Sequence, residues 1–350
     1  MFGWYPLIAA LHSWNECSCN KLCDAAGFHA YPKATLERYP EIVPKIRRFH
    51  EDPLVLPDAW TLVRMRGRNQ SAALPSAAHS WVKIIHQTWK TNATVPKMLS
   101  TLAASWRVMH PDWKYRLWDD KANRKLIQQH YPWFLSTYDA YDLPIKRVDA
   151  VRVFYLHRFG GVYADLDTIC LKSFEALLAQ HAQATVLLGF MGQSNWDQGY
   201  SEQVPNALMI SKPGAPFWLD VMAEMFRRHN CWKPEFDTGP GLITYVAKAY
   251  ATRAGLDVVV LDSSHFYAID WRRKRHLYNK SNPYSNRVDL IIRAAANLSV
   301  AMDGNNTVST VAVMHEVARN EIARVSGINL KGAVSLQLWF HTWGWRSQYV

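Results

Sequence analysis

At 350 residues, 49% hydrophobic and 20% charged, the chain has a globular composition and can bury a sizeable core, so disorder is not the default for most of it. A formal net charge of +11 implies attraction to anions: nucleic acid, an anionic membrane surface or a phosphorylated small molecule. Charge alone does not choose among them.

Residues 1–78 form an accessory extension and linker on this reading. Pro6, Pro32, Pro40, Pro44, Pro53 and Pro57 interrupt every candidate element, and 64–78 is basic and then Ser/Ala-rich. Cys17, Cys19 and Cys23 crowd together with no second cluster at zinc-site spacing, so a disulfide or plain buried thiols fit them better than zinc. A single α/β domain is expected over 79–350. It starts at the strand Trp81-Val82-Lys83-Ile84-Ile85-His86-Gln87-Thr88-Trp89-Lys90, and ligands bind beyond the carboxyl ends of strands in open α/β sheets. His86 to Trp89 are therefore expected to face a site. A helix over 95–110, a strand over 114–120 and a helix over 121–130 continue the alternation.

The stretch 143–171 carries the densest signal. Pro144 suits a first helical turn, and Ile145, Val148, Val151, Tyr155 and Phe159 recur at helical spacing until Gly160 and Gly161 stop the helix. The period then changes to two, with Val162, Ala164 and Leu166 on one face and Tyr163, Asp165 and Asp167 on the other. Two carboxylates side by side at a strand end suit a hard divalent cation, Mn²⁺ or Mg²⁺; turn-favouring aspartates in solvent are the plain alternative. Asp149 and Arg152 lie three apart on one helical face, either pointing together into a pocket or forming a surface ion pair.

Further on, a helix is expected over 174–180, a buried strand over 185–190, and a helix over 242–250 opened by Asp237-Thr238-Gly239-Pro240-Gly241. That helix start could hold an anion or be a structural turn. Trp271-Arg272-Arg273-Lys274-Arg275-His276 is the strongest charge run, and with no recognised nucleic-acid-binding fold around it a solvated loop or an anionic acceptor surface is preferred.

Arg147-Val148-Asp149-Ala150-Val151-Arg152 followed by Gly160-Gly161-Val162-Tyr163-Ala164-Asp165-Leu166-Asp167 resembles the signature of glycosyltransferases with a DXD sugar-binding region. That group includes fungal Golgi initiating mannosyltransferases and inositol-phosphoceramide mannosyltransferases. The resemblance extends to the segment around Trp89, to Leu117-Trp118-Asp119-Asp120, to the strand and turn beginning at Asn206, and to Trp339-Phe340-His341-Thr342-Trp343-Gly344-Trp345. It implies a GT-A-like nucleotide-sugar-binding fold with a Rossmann-like, mostly parallel mixed sheet. It also implies that Asp149, Arg152, Asp165 and Asp167 are catalytic, and that Trp89, Asp149, Arg152, Tyr163, Asn206 and Trp345 bind the donor. Asp165, Asp167 and His341 would hold the metal, with His315 as a rival histidine.

The implied activity is metal-dependent transfer of a hexose, mannose above others, from GDP-mannose or a UDP-sugar to a glycan or glycolipid acceptor with retention. Membrane association is compatible with it and nucleic acid is not an expected partner. The rival readings are a non-catalytic carbohydrate or anionic-lipid binding protein on the same fold and, third, a metal-dependent phosphohydrolase. Five Asn-x-Ser/Thr sequons, beginning at Asn69, Asn92, Asn279, Asn297 and Asn305, favour the secretory lumen and hence the Golgi. Against that, 2–11 is too short for a membrane span and no Lys or Arg precedes Lys21.

Overall fold

The structure is a computed structural model that describes residues 80–191, 203–230, 234–251, 258–269, 287–300 and 308–340. The extension over 1–78, Cys17, Cys19, Cys23 and Cys231, the basic run 271–276, His341 and Trp345 lie outside the described residues.

A six-stranded sheet is built from β1 (Ile84–Thr88), β2 (Lys114–Trp118), β3 (Gly161–Ala164), β5 (Val186–Gly189), β6 (Leu208–Ser211) and β7 (Val258–Leu261), in the order β2-β1-β3-β6-β5-β7. β1 runs parallel to β2 and β3, and β5 parallel to β7, while β6 is antiparallel to both its neighbours. This is the mostly parallel, mixed, Rossmann-like sheet expected. β4 (Thr168–Cys170) leaves it and pairs antiparallel with β8 (Ser335–Gln337) in a separate two-stranded ribbon.

Helices cover both faces. α1 (Lys97–Met109) follows β1, and α2 (Asp120–His130), capped by the Asp119 side chain on Ala122 N, follows β2. α3 (Leu135–Asp139) leads to α4 (Pro144–Phe159), which buries Asp149 to Leu156 without a break, as a helix covered on most sides must. Val151, Phe154 and Tyr155 pack with Trp218 and Met222 of α6 (Pro216–Arg228) and Leu242 of α8 (Pro240–Ala251) on one face of the sheet. Each such side chain contributes ~1.5–3 kcal/mol. On the other face Ile85, Val162, Ala164 and Ile210 meet Trp106 of α1, Phe174 ahead of α5 (Glu175–Gln180), and Phe266 of α9 (Ser263–Phe266). A further cluster joins Leu166 and Ile169 to Leu336 and Leu338, beneath α10 (Arg287–Val300) and α11 (Val308–Ser326). α7 (Pro234–Asp237) is a single short turn before α8.

His86 does not face a site. It is fully buried among Trp118, Tyr155 and Phe159, its Nε2–H donating to Gly160 O (3.0 Å) while Nδ1 accepts from Trp118 Nε1 (3.1 Å). Burial pushes its pKa down to about 3, so it is a neutral core residue tying β1 to the end of α4.

Candidate active site

The site is made by an elbow. Gly160 and Gly161 have φ of +66° and +88°, and a Cβ on Gly161 would stand 2.3 Å from Ile84 O, so the chain reverses there only because both residues lack side chains. The legs are nearly equal: from Arg152 to Phe159 is roughly 10 Å of helix, and from Gly161 to Asp165 roughly 13 Å of strand. Arg152 and Asp165, thirteen positions apart in sequence, therefore meet beyond the carboxyl end of β3.

Asp165 sits one residue past the strand, which corrects the expectation of two carboxylates side by side on one strand face. β3 stops at Ala164, and a turn with Thr168 N donating to Asp165 O (3.2 Å) sends the two aspartates in different directions. Asp165 N donates to Ala207 O (2.8 Å), and Gln87 Nε2 donates to Asp165 O (3.1 Å). Its Oδ1 accepts from Tyr163 Oη (2.7 Å) and faces Arg152 Nη1 (3.2 Å), and the side chain is 25% exposed. Its Oδ2 has no hydrogen-bond partner among the described residues.

Arg152 is buried. Nη2 lies 2.9 Å from Asp149 Oδ1, Nη1 donates to Asn206 O (3.0 Å), and the guanidinium lies 4.9 Å from the centre of the Tyr163 ring. Burial opposes its charge, but Asp165, Tyr163 and Asp149 outweigh that and its pKa is raised. Burial pushes Asp149 up to about 6, with Arg152 pulling the other way. Asn206 reaches this edge because β6 is antiparallel: Leu208 at its start pairs with Ala164 at the end of β3. Arg152 Nε is a buried N–H donor with no acceptor among the described residues, while buried Asn206 Nδ2 faces the Asp149 carboxylate, pulling its pKa down, without closing a hydrogen bond of ordinary geometry. Leaving such a donor unmet costs ~1–3 kcal/mol, and a bound anion or hydroxyl would meet it.

Asp167 points the other way, into the ribbon. Oδ1 accepts from Gln337 Nε2 and Oδ2 from Phe340 N, both at 2.7 Å, and Leu338 N donates to Asp167 O (2.9 Å). Burial, with Asp165 nearby, pushes its pKa up to about 6. Each oxygen accepts a single N–H and keeps a lone pair.

Trp89 lies just past β1, its amide bonded to Trp118 O (3.0 Å) and its indole to Thr94 O (3.2 Å), with the ring half-buried. Tyr163 is buried, and its phenol is committed to Asp165, so it holds the carboxylate from behind. Gly239 abuts Asp149: a Cβ there would come 3.3 Å from Asp149 Oδ2. The Asp237 turn before it is anchored by buried Lys146, whose Nζ lies 2.8 Å from Asp237 Oδ2. His315 lies on α11, and no hydrogen bond or ion pair described joins it to Asp165 or Asp167.

Reading from sequence placed Gln87 within the segment 86–89 expected to face a site, without giving it a role, and missed Gln337. Gln337 is a lone polar residue between Leu336 and Leu338, a pattern that signals a buried amide with a specific partner.

The mostly parallel α/β sheet thus carries acids and one buried arginine at its carboxyl edge. Residues 96–184 match the family model described as "Glycosyltransferase sugar-binding region containing DXD motif". The chain is similar to inositol phosphoceramide mannosyltransferase 3 of Schizosaccharomyces pombe, 39% identical over 188 residues, covering 52% of this chain and 47% of the relative. It is similar to the mannosyl phosphorylinositol ceramide synthases CSH1 and SUR1 of Saccharomyces cerevisiae, 36% and 35% identical, each match covering 48% of this chain and 43% and 42% of the relative. The chain thus spans less than half the length of these relatives.

Proposed function

We propose that the chain is a metal-dependent glycosyltransferase that moves mannose from a nucleotide-sugar donor, GDP-mannose or a UDP-sugar, to a glycolipid of the inositol phosphoceramide kind. The single observation that carries this reading is the buried Arg152 guanidinium, held between Asp149 and the part-exposed Asp165 with its Nε–H unmet among the described residues. A buried cation with a spare donor beside a solvent-reachable carboxylate suits a hydroxylated, phosphorylated ligand.

In this reading Arg152 and Asn206 bind the sugar and diphosphate, Asp149 accepts from a sugar hydroxyl, and Trp89 lies against the base, with Trp345 contributing from outside the described residues. Tyr163 and Gln87 fix Asp165. The residues present fit a divalent cation. Asp149 and Asp165 pair with the Arg152 guanidinium and Asp167 lies two residues on; burial raises the pKa of all three, and the available atoms are the oxygens that Mn²⁺ or Mg²⁺ prefers. Asp165 and Asp167 would hold the cation, with His341 as a further ligand. When bound, it would neutralise charge developing on the leaving diphosphate. Among the described residues no group of three or more His, Cys, Asp or Glu could hold a metal, so most of the cation's ligands would be water and phosphate oxygens.

Retention of configuration follows from the resemblance. A secretory, Golgi location is supported by the sequons, of which Asn92 and Asn297 are exposed here. No helix among the described residues is long and apolar enough to cross a membrane. The catalytic unit is taken as 79–350, after an accessory segment over 1–78. The test is incubation with a panel of GDP- and UDP-sugars, Mn²⁺ and inositol phosphoceramide, with products identified by mass. A hexose-bearing lipid made from one donor supports the reading, and donor untouched throughout sinks it.

A further inference from the structure

Asp149 is confined from two sides: Arg152 meets its Oδ1, and Gly239, in the turn between α7 and α8, lies against its Oδ2. A Cβ on Gly239 would come 3.3 Å from that oxygen, 2.9 Å from Pro234 O and 3.0 Å from Glu235 Cα. The glycine is shut between its own turn and the carboxylate, so a shift of the turn is felt at Asp149. Thr238 N and Gly239 N both donate to Pro234 O (3.1 and 2.9 Å), which keeps the turn tight. Arg228 Nη1 ties it to α6 by donating to Phe236 O (3.0 Å), and on α8 Thr244 Oγ1 accepts from Val204 N (2.9 Å), two residues before Asn206.

The tie from this turn to α4 is Lys146, three residues before Asp149 on the same helix. Its side chain is 1% exposed, and Nζ meets Asp237 Oδ2 (2.8 Å), Asp142 Oδ1 (2.9 Å) and Asn230 Oδ1 (3.4 Å), three acceptors for three N–H bonds. Asp237 is fully buried. Packing alone does not ask for such a pair, because two apolar side chains of similar volume hold buried elements at least as well and take no charge out of water. What the pair adds is direction: it sets where the turn stands against α4, two residues from Gly239 and three from Asp149. We infer that Lys146 and Asp237 are positioning residues of the donor site, their buried pair holding Gly239 against Asp149 and so fixing the carboxylate that meets the sugar. The inference rests on the donor reading above, in which Asp149 accepts from a sugar hydroxyl. It assigns the turn over 234–241 to the sugar side of the site.

The test compares wild type with the double variant Lys146→Met, Asp237→Leu and with Asp237→Glu, as full chains with Mn²⁺. Melting is followed, kcat is taken from hydrolysis of whichever of a panel of GDP- and UDP-sugars the wild type consumes, and competition by free GDP or UDP gives affinity for the nucleotide without sugar. The double variant exchanges the pair for apolar side chains and should melt close to wild type. Asp237→Glu keeps the pair but lengthens it by one methylene, which moves the turn off its seat. Both should lower kcat roughly tenfold to a hundredfold, as misplacement on the order of 1 Å does, while nucleotide affinity stays at the wild-type value. Wild-type kcat in either folded variant overturns the inference. So does a fall in kcat matched by an equal fall in nucleotide affinity, which a general loss of structure would give. If neither variant folds, the pair serves the fold itself and the inference is overturned as well. In each of these cases the wild type still consumes donor and the donor reading stands, whereas wild type that consumes no donor overturns both.

Discussion

Arg152 Nη1 on α4 lies 3.2 Å from Asp165 Oδ1 just beyond β3, so the helix and the acidic motif are joined at the site rather than only through the glycine elbow. Spacing alone allows a surface ion pair of Arg152 with Asp149 whose loss would barely move stability. Burial changes that expectation. Removing the guanidinium leaves two carboxylates facing each other in a closed site, and breaking buried pairs of this kind costs on the order of 3 kcal/mol. Arg152→Ala should lower the melting temperature clearly and reduce turnover by roughly a hundredfold, about 2.7 kcal/mol. Arg152→Lys should recover stability more than turnover, because a point charge does not reproduce a planar fork. Arg152→Ala protein with wild-type melting and wild-type turnover would return the pair to the surface.

Removing a carboxylate should act in the opposite direction from removing the arginine. Asp167→Asn forfeits one N–H acceptor, ~1–3 kcal/mol, but relieves a buried charge whose pKa has risen from 3.8 to about 6. The two nearly offset, so the melting temperature should stay within a few degrees of wild type while donor turnover is mostly lost. A melting loss as large as that of Arg152→Ala would show that burial of the Asp167 charge costs little.

Burial of Asp149 fixes the sign of a pH effect. Asp149 has its pKa raised from 3.8 to about 6 by burial, so the folded protein holds that proton more tightly than the unfolded chain. Its contribution to stability is therefore most favourable below about pH 4, declines as pH rises through the window up to about 6, and is flat above. Turnover should rise over that window, since the ionised form aligns Arg152. Melting temperature and kcat/KM measured from pH 4 to 8 should move in opposite directions between about 4 and 6, relative to Asp149→Asn, which removes this component from both.

Gly161 tests the elbow. Alanine there must adopt φ near +88° with its Cβ inside contact distance of Ile84 O, combining backbone strain with overpacking. The cost should be on the order of 3 kcal/mol. Thermal unfolding of Gly161→Ala at wild-type stability would contradict the geometry.

Much of the site was legible in sequence because it is local. Pro144, the double glycine and the change of period from 3.6 to two place α4, the elbow and β3, and with them Asp149, Arg152 and Asp165. What stayed hidden depends on distant partners. Asp167 looks like a strand-face neighbour of Asp165, yet a turn at 165–168 and pairing with β8 send it toward Gln337 and Phe340. His86 looks like a site histidine at a strand end, but the aromatic packing of Trp118, Tyr155 and Phe159 around it is visible only in the fold. Asn206 was singled out by the family resemblance, while the antiparallel course of β6 that brings its carbonyl to Arg152 was not legible.

The central claim is mannosyl transfer from a nucleotide sugar to a glycolipid at the Arg152, Asp165 and Asp167 site. The most direct measurement is the mass of lipid products from inositol phosphoceramide, GDP-mannose and Mn²⁺, run with wild type, wild type plus chelator, and Asp165→Asn. The account predicts a lipid heavier by one hexose with wild type alone. Product formed equally by all three, or none from wild type with GDP-mannose or any UDP-sugar, would contradict it.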